Sequence, residues 1–246
     1  MDLLSACRKL EEKGFLEKCI QRVSEIIGTA AFNDVAKEVG ELICTQPSGH
    51  EASRMAAPCV FGFVPPTAAV VWQVAQALRN APQPILEIGG GNGIWKHVLS
   101  RHGVTMSSCD IYPAYKAYAF VETLEATEAV ARRKPRSLFF MFPLLSVSRD
   151  DAESIATGTL PPCVEERAMK YKTYLGQLLQ NVEHVTLVYS THCYPRPAEI
   201  IPFGFTYSQS TLRGVHVGFT RRLGRLWLAR LVRVRDADSR QPPIRA

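Results

Sequence analysis

One stretch limits the possible folds more than any other, Pro84-Ile-Leu-Glu-Ile-Gly-Gly-Gly-Asn-Gly-Ile-Trp95. Ile85, Leu86 and Ile88 make a short apolar run of the kind found in a central parallel strand, and the glycines that follow end it abruptly. Gly89, Gly91 and Gly93 alternate around Gly90, so the backbone can take positive φ and no side chain keeps a ligand at a distance. Ile94, Trp95, Val98 and Leu99 then recur at helical spacing through Ser100, which sets a helix N-terminus beside the same turn.

A second strand is expected from Val104 to Cys109, ending at Asp110 with Ile111 and Tyr112 behind it. A carboxylate at that tip can accept the hydrogens of both hydroxyls of a ribose. A dinucleotide turn needs Gly-x-Gly-x-x-Gly, and Ile94 stands where its last glycine would fall, so a nicotinamide-dependent enzyme ranks low. The bland alternatives are a turn that binds nothing, with Asp110 capping a loop, and a buried Glu87 paired with backbone N–H groups.

Glu87-x-Gly89-x-Gly91-x-Gly93 resembles the first motif of the S-adenosylmethionine-dependent methyltransferases with a Rossmann-like, seven-stranded sheet. The approach Phe61-Gly-Phe-Val-Pro-Pro-Thr67 and the tryptophan at Trp95 are similar to a poorly characterised methyltransferase-like branch of that superfamily, and the likeness runs from about Phe61 to Ser190. It implies S-adenosyl-L-methionine as cofactor, with Glu87, Gly89, Gly90, Gly91, Gly93, Asp110, Ile111 and Phe142 as the residues that bind it, and no metal. In that resemblance Glu87 orders the glycine loop near the methionine end of the cofactor and Asp110 holds its ribose. Phe61 and Phe63 could cover the pocket, although two aromatics at alternate positions are more often plain core.

The rest of the chain fits one large α/β domain with an appendage. With 246 residues, 46% of them hydrophobic and 21% charged, a full core can form. The expected divisions are a helical extension over 1–58, the cofactor-binding domain over 59–236 and a frayed tail over 237–246. In the extension Leu10, Phe15, Leu16, Cys19, Ile20, Val23, Ile26 and Ile27 repeat at helical spacing, Gly14 divides two helices, and Asn33-Asp34 starts another. Pro65-Pro66-Thr67 opens a helix over 68–79. A third strand or its remnant falls around Tyr118–Glu122, followed by a helix from about Leu124 to Arg133 and a fourth strand from Arg136. After a helix over Glu165–Leu179 and a fifth strand over Val185–Tyr189, two alternating stretches, Phe203–Tyr207 and Leu226–Arg235, suit a closing antiparallel hairpin. The expected fold is therefore a mostly parallel Rossmann-like sheet with that hairpin and helices on both faces.

The acceptor is harder to read. Methyltransferases acting on exocyclic amines often carry Asn or Asp, two prolines and an aromatic at the exit of the fourth strand. Here the place holds Met141-Phe142-Pro143-Leu144, with no polar side chain to hold an amine. Methyl transfer needs chiefly positioning and often removal of a proton. His192, after the fifth strand, is the weak candidate for a catalytic base, and Glu122 for adenine recognition; a lone loop histidine is more often structural. The expected function is methyl transfer to an unidentified acceptor. The alternative is a catalytically silent methyltransferase-like scaffold or an RNA- or ribonucleoprotein-binding protein.

The formal charge of +6 motivates that alternative, with Arg213, Arg221, Arg222, Arg225, Arg230, Arg233 and Arg235 crowding the C-terminal region. A solvated surface is the competing account, since aromatic residues do not interleave with the arginines. Cys7, Cys19, Cys44, Cys59, Cys109, Cys163 and Cys193 include no Cys-x-x-Cys pair and fit reduced thiols. The start of the chain lacks a secretory pattern, and its longest apolar stretches fall far short of the ~20 residues that span a bilayer. An intracellular, cytoplasmic protein without a membrane span is expected.

Overall fold

The computed structural model describes residues 21, 23–34, 62, 64–111, 113, 118–141, 162–190, 195–215 and 225–234. Its centre is a seven-stranded sheet in the order β3-β2-β1-β4-β5-β7-β6. The strands are β1 (Ile85–Ile88), β2 (Ser107–Asp110), β3 (Glu122–Thr123), β4 (Ser137–Met141), β5 (His184–Tyr189), β6 (Phe205–Thr211) and β7 (Trp227–Arg233). β3, β2, β1, β4 and β5 pair in parallel, whereas β7 runs antiparallel to both β5 and β6. The fold is thus the expected α/β Rossmann-like sheet with a closing antiparallel hairpin.

Burial explains the composition of the strands. β1, β4 and β5 are buried at every position, which is why they are largely apolar and do not alternate. The helices are α1 (Ala68–Arg79), α2 (Ile94–Ser100), α3 (Ala126–Arg133), α4 (Pro162–Leu179) and the single turn α5 (Pro197–Ile200). α1 packs on α2 and α3 on α4, and the burial of every position of β1, β4 and β5 shows that both faces of the central sheet are covered.

Helix starts follow local chemistry. Thr67 is the N-cap of α1, with extended backbone and its hydroxyl accepting from the Val70 N–H. Asn33 Oδ1 accepts from the Ala68 N–H at 3.2 Å, so the N-terminal segment helps to cap the same helix. Glu125 caps α3 by accepting from Thr127 and Glu128, and α3 ends at Lys134 in the left-handed conformation.

The described part of the N-terminal extension is helical over 23–26 and 30–34. It breaks at Gly28, whose φ is +77°, and Asn33-Asp34 lie inside the second turn instead of starting it. Gly14 lies outside the described residues. Val23, Ile27 and Phe32 are buried in the same core as the sheet. Arg101, just past α2, donates to the Ser24 carbonyl at 2.8 Å.

The third strand is a remnant, confined to the end of the expected stretch. Tyr118 to Val121 form a loop that lies across the glycine turn, and only Glu122–Thr123 pair with β2. The cause is a tertiary contact: the Tyr118 N–H donates to the Asn92 carbonyl at 2.6 Å, and Lys96 Nζ donates to the Phe120 carbonyl at 2.8 Å.

Candidate cofactor site

The chain leaves β1 toward β2 and β3 in one direction and toward β4 and β5 in the other. The resulting crevice, at the carboxyl ends of the strands, is where open α/β sheets place ligands. The glycine turn sits at that edge. The N–H groups of Gly89 and Gly90 both donate to the Cys109 carbonyl, at 2.9 and 3.0 Å, and the Gly91 N–H donates to Asp110 Oδ2 at 2.9 Å. Gly93 closes the turn by donating to the Gly90 carbonyl at 2.8 Å. The end of β1 is therefore tied to the end of β2, and Asp110 stands beside the turn as its sequence position implied.

Four glycines in this turn do different things. Gly89, Gly91 and Gly93 have φ of +74°, +53° and +72°. Among the described residues, a methyl group added at Gly89 or Gly91 would meet nothing within 4 Å. A methyl group at Gly93 would come to 2.5 Å from the Ala119 carbonyl oxygen, and one at Gly90 would overlap Ser108 Oγ. Gly90 and Gly93 are thus pressed against the protein itself.

Glu87 lies directly under this turn. Its side chain is buried, and a methyl group built on Gly90 would stand 3.2 Å from its Oε2. Burial pushes the carboxyl up to about 7; the neighbouring Ser108 hydroxyl and the Lys96 charge pull it back, and Asp110 pushes it further up. Ser108 stands next to the carboxyl beneath Gly90, and the two buried side chains face each other across the β1–β2 pairing.

The start of α2 offers less than its sequence suggested. The Ile94 N–H is already taken by Asn92 Oδ1 at 3.1 Å, and Asn92 is itself buried. Trp95 is fixed by its indole N–H, which donates to the Val64 carbonyl at 3.1 Å. Cys109 is inert, because burial raises its thiol to about 12.

The other candidate residues are distributed as follows. Ile111 follows Asp110 and is half exposed. Glu122 on β3 accepts from Arg133 Nη2 at 2.6 Å and so is ion-paired. Phe142 and His192 lie outside the described residues, as do Phe61 and Phe63. Among the described arginines of the C-terminal region, Arg233 is committed to the fold: it donates to the carbonyls of Val182 at 2.7 Å, of Phe203 at 3.0 Å and of Leu179. Arg213, Arg225 and Arg230 are exposed.

Asn92 and Ser108 were not singled out by sequence reasoning. Ser108 had one signal, a polar residue in a short inner strand; its place beside Glu87 follows from the β1–β2 register, which pairs the two residues. Among the described residues no group of His, Cys, Asp and Glu could hold a metal ion, and no helix is long and apolar enough to cross a membrane.

No protein-family model matches the chain, and no curated protein matches it by sequence. Solved structures resemble it in three dimensions. Magnesium protoporphyrin IX methyltransferase from Synechocystis, with bound S-adenosylmethionine, matches at 14% identity over 88% of this chain and 97% of its own, with a TM-score of 0.45. The 1,6-didemethyltoxoflavin-N1-methyltransferase of Burkholderia thailandensis, with bound S-adenosylhomocysteine, matches at 12% identity over 68% and 78% of the two chains, with a TM-score of 0.42. Likeness of this degree does not bear on what the chain binds or does.

Proposed function

We propose that this chain binds S-adenosyl-L-methionine at the glycine turn and transfers its methyl group to an acceptor still to be identified. The observation that carries the reading is the juxtaposition of Gly89 and Gly91, left-handed and with no described residue against them, with the Asp110 carboxylate at the carboxyl end of β2. The residues fit the cofactor in three respects. Among the described residues the turn leaves room for a ligand against its backbone, Asp110 can accept from ribose hydroxyls, and the buried Glu87 carboxyl lies beneath Gly90 to answer a positive amino group.

Bound S-adenosylmethionine supplies a methyl group already activated by its sulfonium. What remains for the chain is to hold the acceptor in line with that methyl and to remove a proton where the acceptor carries one. In this reading Gly89 and Gly91 lie against the amino-acid part, with Gly90 and Gly93 holding the turn in shape. Ile111 and Phe142 contribute apolar contact, and His192 is the candidate base. A positive amino group near Glu87 would favour its ionised form and offset the burial that raises its pKa.

The test is transfer of labelled methyl groups from S-adenosylmethionine into a cell extract. The wild-type chain should label an acceptor, and Asp110→Ala should not, while both melt at similar temperatures. Binding of S-adenosylhomocysteine without any transfer would replace the enzyme by the silent scaffold. Salt-sensitive RNA binding lost on changing Arg225 and Arg230 would then give that scaffold an RNA partner.

A further inference from the structure

The two edges of the sheet differ in one respect that has a consequence for assembly. β3 is only two residues long, and its Glu122 is ion-paired with Arg133. β6 runs for seven residues, Phe-Thr-Tyr-Ser-Gln-Ser-Thr, with every residue after Phe205 exposed. It carries no charge, no proline and no glycine, and its register with β7 is unbroken from Phe205 opposite Arg233 to Thr211 opposite Trp227. Natural sheets protect long edges with charges, prolines, bulges or a covering segment, because the outer row of N–H and C=O groups is a template for another strand. The first three are missing here.

Which groups point outward follows from the ladder. The Leu212 N–H donates to the Leu226 carbonyl and the Val234 N–H to the Gly204 carbonyl, both at 2.9 Å. Antiparallel ladders alternate, so Thr206, Ser208 and Ser210 exchange hydrogen bonds with β7. Phe205, Tyr207, Gln209 and Thr211 therefore turn their N–H and C=O groups away from the sheet. Among the described residues no strand takes them up.

We propose that β6 pairs antiparallel with β6 of a second copy of this chain, about a two-fold axis through Ser208. In that register Phe205 faces the second copy's Thr211, and Tyr207 faces the second copy's Gln209. Every outward N–H and C=O of the strand then finds its match. A shift of two residues in either direction leaves Phe205 or Thr211 unpaired. The edge is self-complementary, and being neutral it meets its copy without like-charge repulsion, although the chain as a whole is basic. A nucleic acid would need a row of cations, and residues 205–211 carry none.

Ser208 gives the test, since it is exposed, sits on the axis and bonds to β7 through its backbone. Sedimentation of the full chain should show a dimer for the wild type. Ser208→Lys and Ser208→Glu should each associate at least about tenfold more weakly, because like charges would stand directly opposite each other. Mixing the two variants should restore the dimer as a heterodimer, with far-ultraviolet circular dichroism confirming that all three forms are folded. A wild type that stays monomeric up to about 100 µM, a dimer indifferent to both substitutions, or variants that mixing fails to rescue would each overturn the proposal.

Discussion

No described residue stands against Gly89 or Gly91, whereas their neighbours Gly90 and Gly93 are closed in by Ser108 and by the Ala119 backbone. In the sequence the four are one motif. The difference teaches that such a motif merges two requirements, backbone that a ligand can approach and backbone that another segment of the protein already occupies. Substitution should separate them: the closed pair should govern stability and the open pair binding.

The largest effect is expected at Gly93. An alanine there would be held at a φ of +72° with its methyl group 2.5 Å from a backbone oxygen that cannot swing away. Gly93→Ala should cost about 3 kcal/mol or more in urea denaturation, from backbone strain plus overpacking. Gly90→Ala should cost about 1–3 kcal/mol, and part of that should return in the double variant with Ser108→Ala, which removes the overlapping hydroxyl. Full additivity of the two substitutions would place Ser108 elsewhere.

Glu87 sharpens the comparison through pH. Its folded-state pKa of about 7 lies above the ordinary carboxylate value of 4.5, so between these values the folded protein holds a proton that the unfolded chain has released. Stability from this group is present below about pH 4.5 and is lost as pH rises to 7, a span worth about 3 kcal/mol. Glu87→Gln cannot ionise. Urea denaturation should therefore find the variant more stable than wild type at pH 8 and similar to it at pH 4. Equal pH profiles for the two proteins would mean that burial does not raise the Glu87 carboxyl. Buried polar groups elsewhere on the sheet behave differently: His184, held down to about 4 by burial and by Arg230, stays neutral through this range, and its two ring nitrogens lack partners inside the wall of the fold.

Much of this was legible from residue order. The limits of α1, the buried strand β1, the arrival of β2 at Asp110 and the closing hairpin follow from apolar periodicity, from the proline–threonine start and from alternation, all of which act over a few residues. What could not be read depends on contacts between distant segments. Tyr118 to Val121 have strand-forming residues, yet they lie over Gly93 because Asn92 and Lys96 hold them there. The break in the N-terminal extension comes at Gly28, where the chain turns back onto α2 and a methyl group would sit 3.3 Å from Val98. Ser108 beneath Gly90 is a matter of strand register, and the commitment of Arg233 to three carbonyls is hidden in what reads as a basic tail.

The smallest effect on stability and the sharpest on binding should come at Gly91, where alanine meets no atom of the described residues within 4 Å and bears the left-handed strain of about 1–2 kcal/mol. A calorimetric titration with S-adenosylhomocysteine of wild type and Gly91→Ala, both shown to be folded, tests the account most directly. The expected result is binding at one site in the wild type and at least about tenfold weaker binding in the variant. A folded wild type that takes up no ligand, or a variant that binds as tightly as wild type, would contradict it.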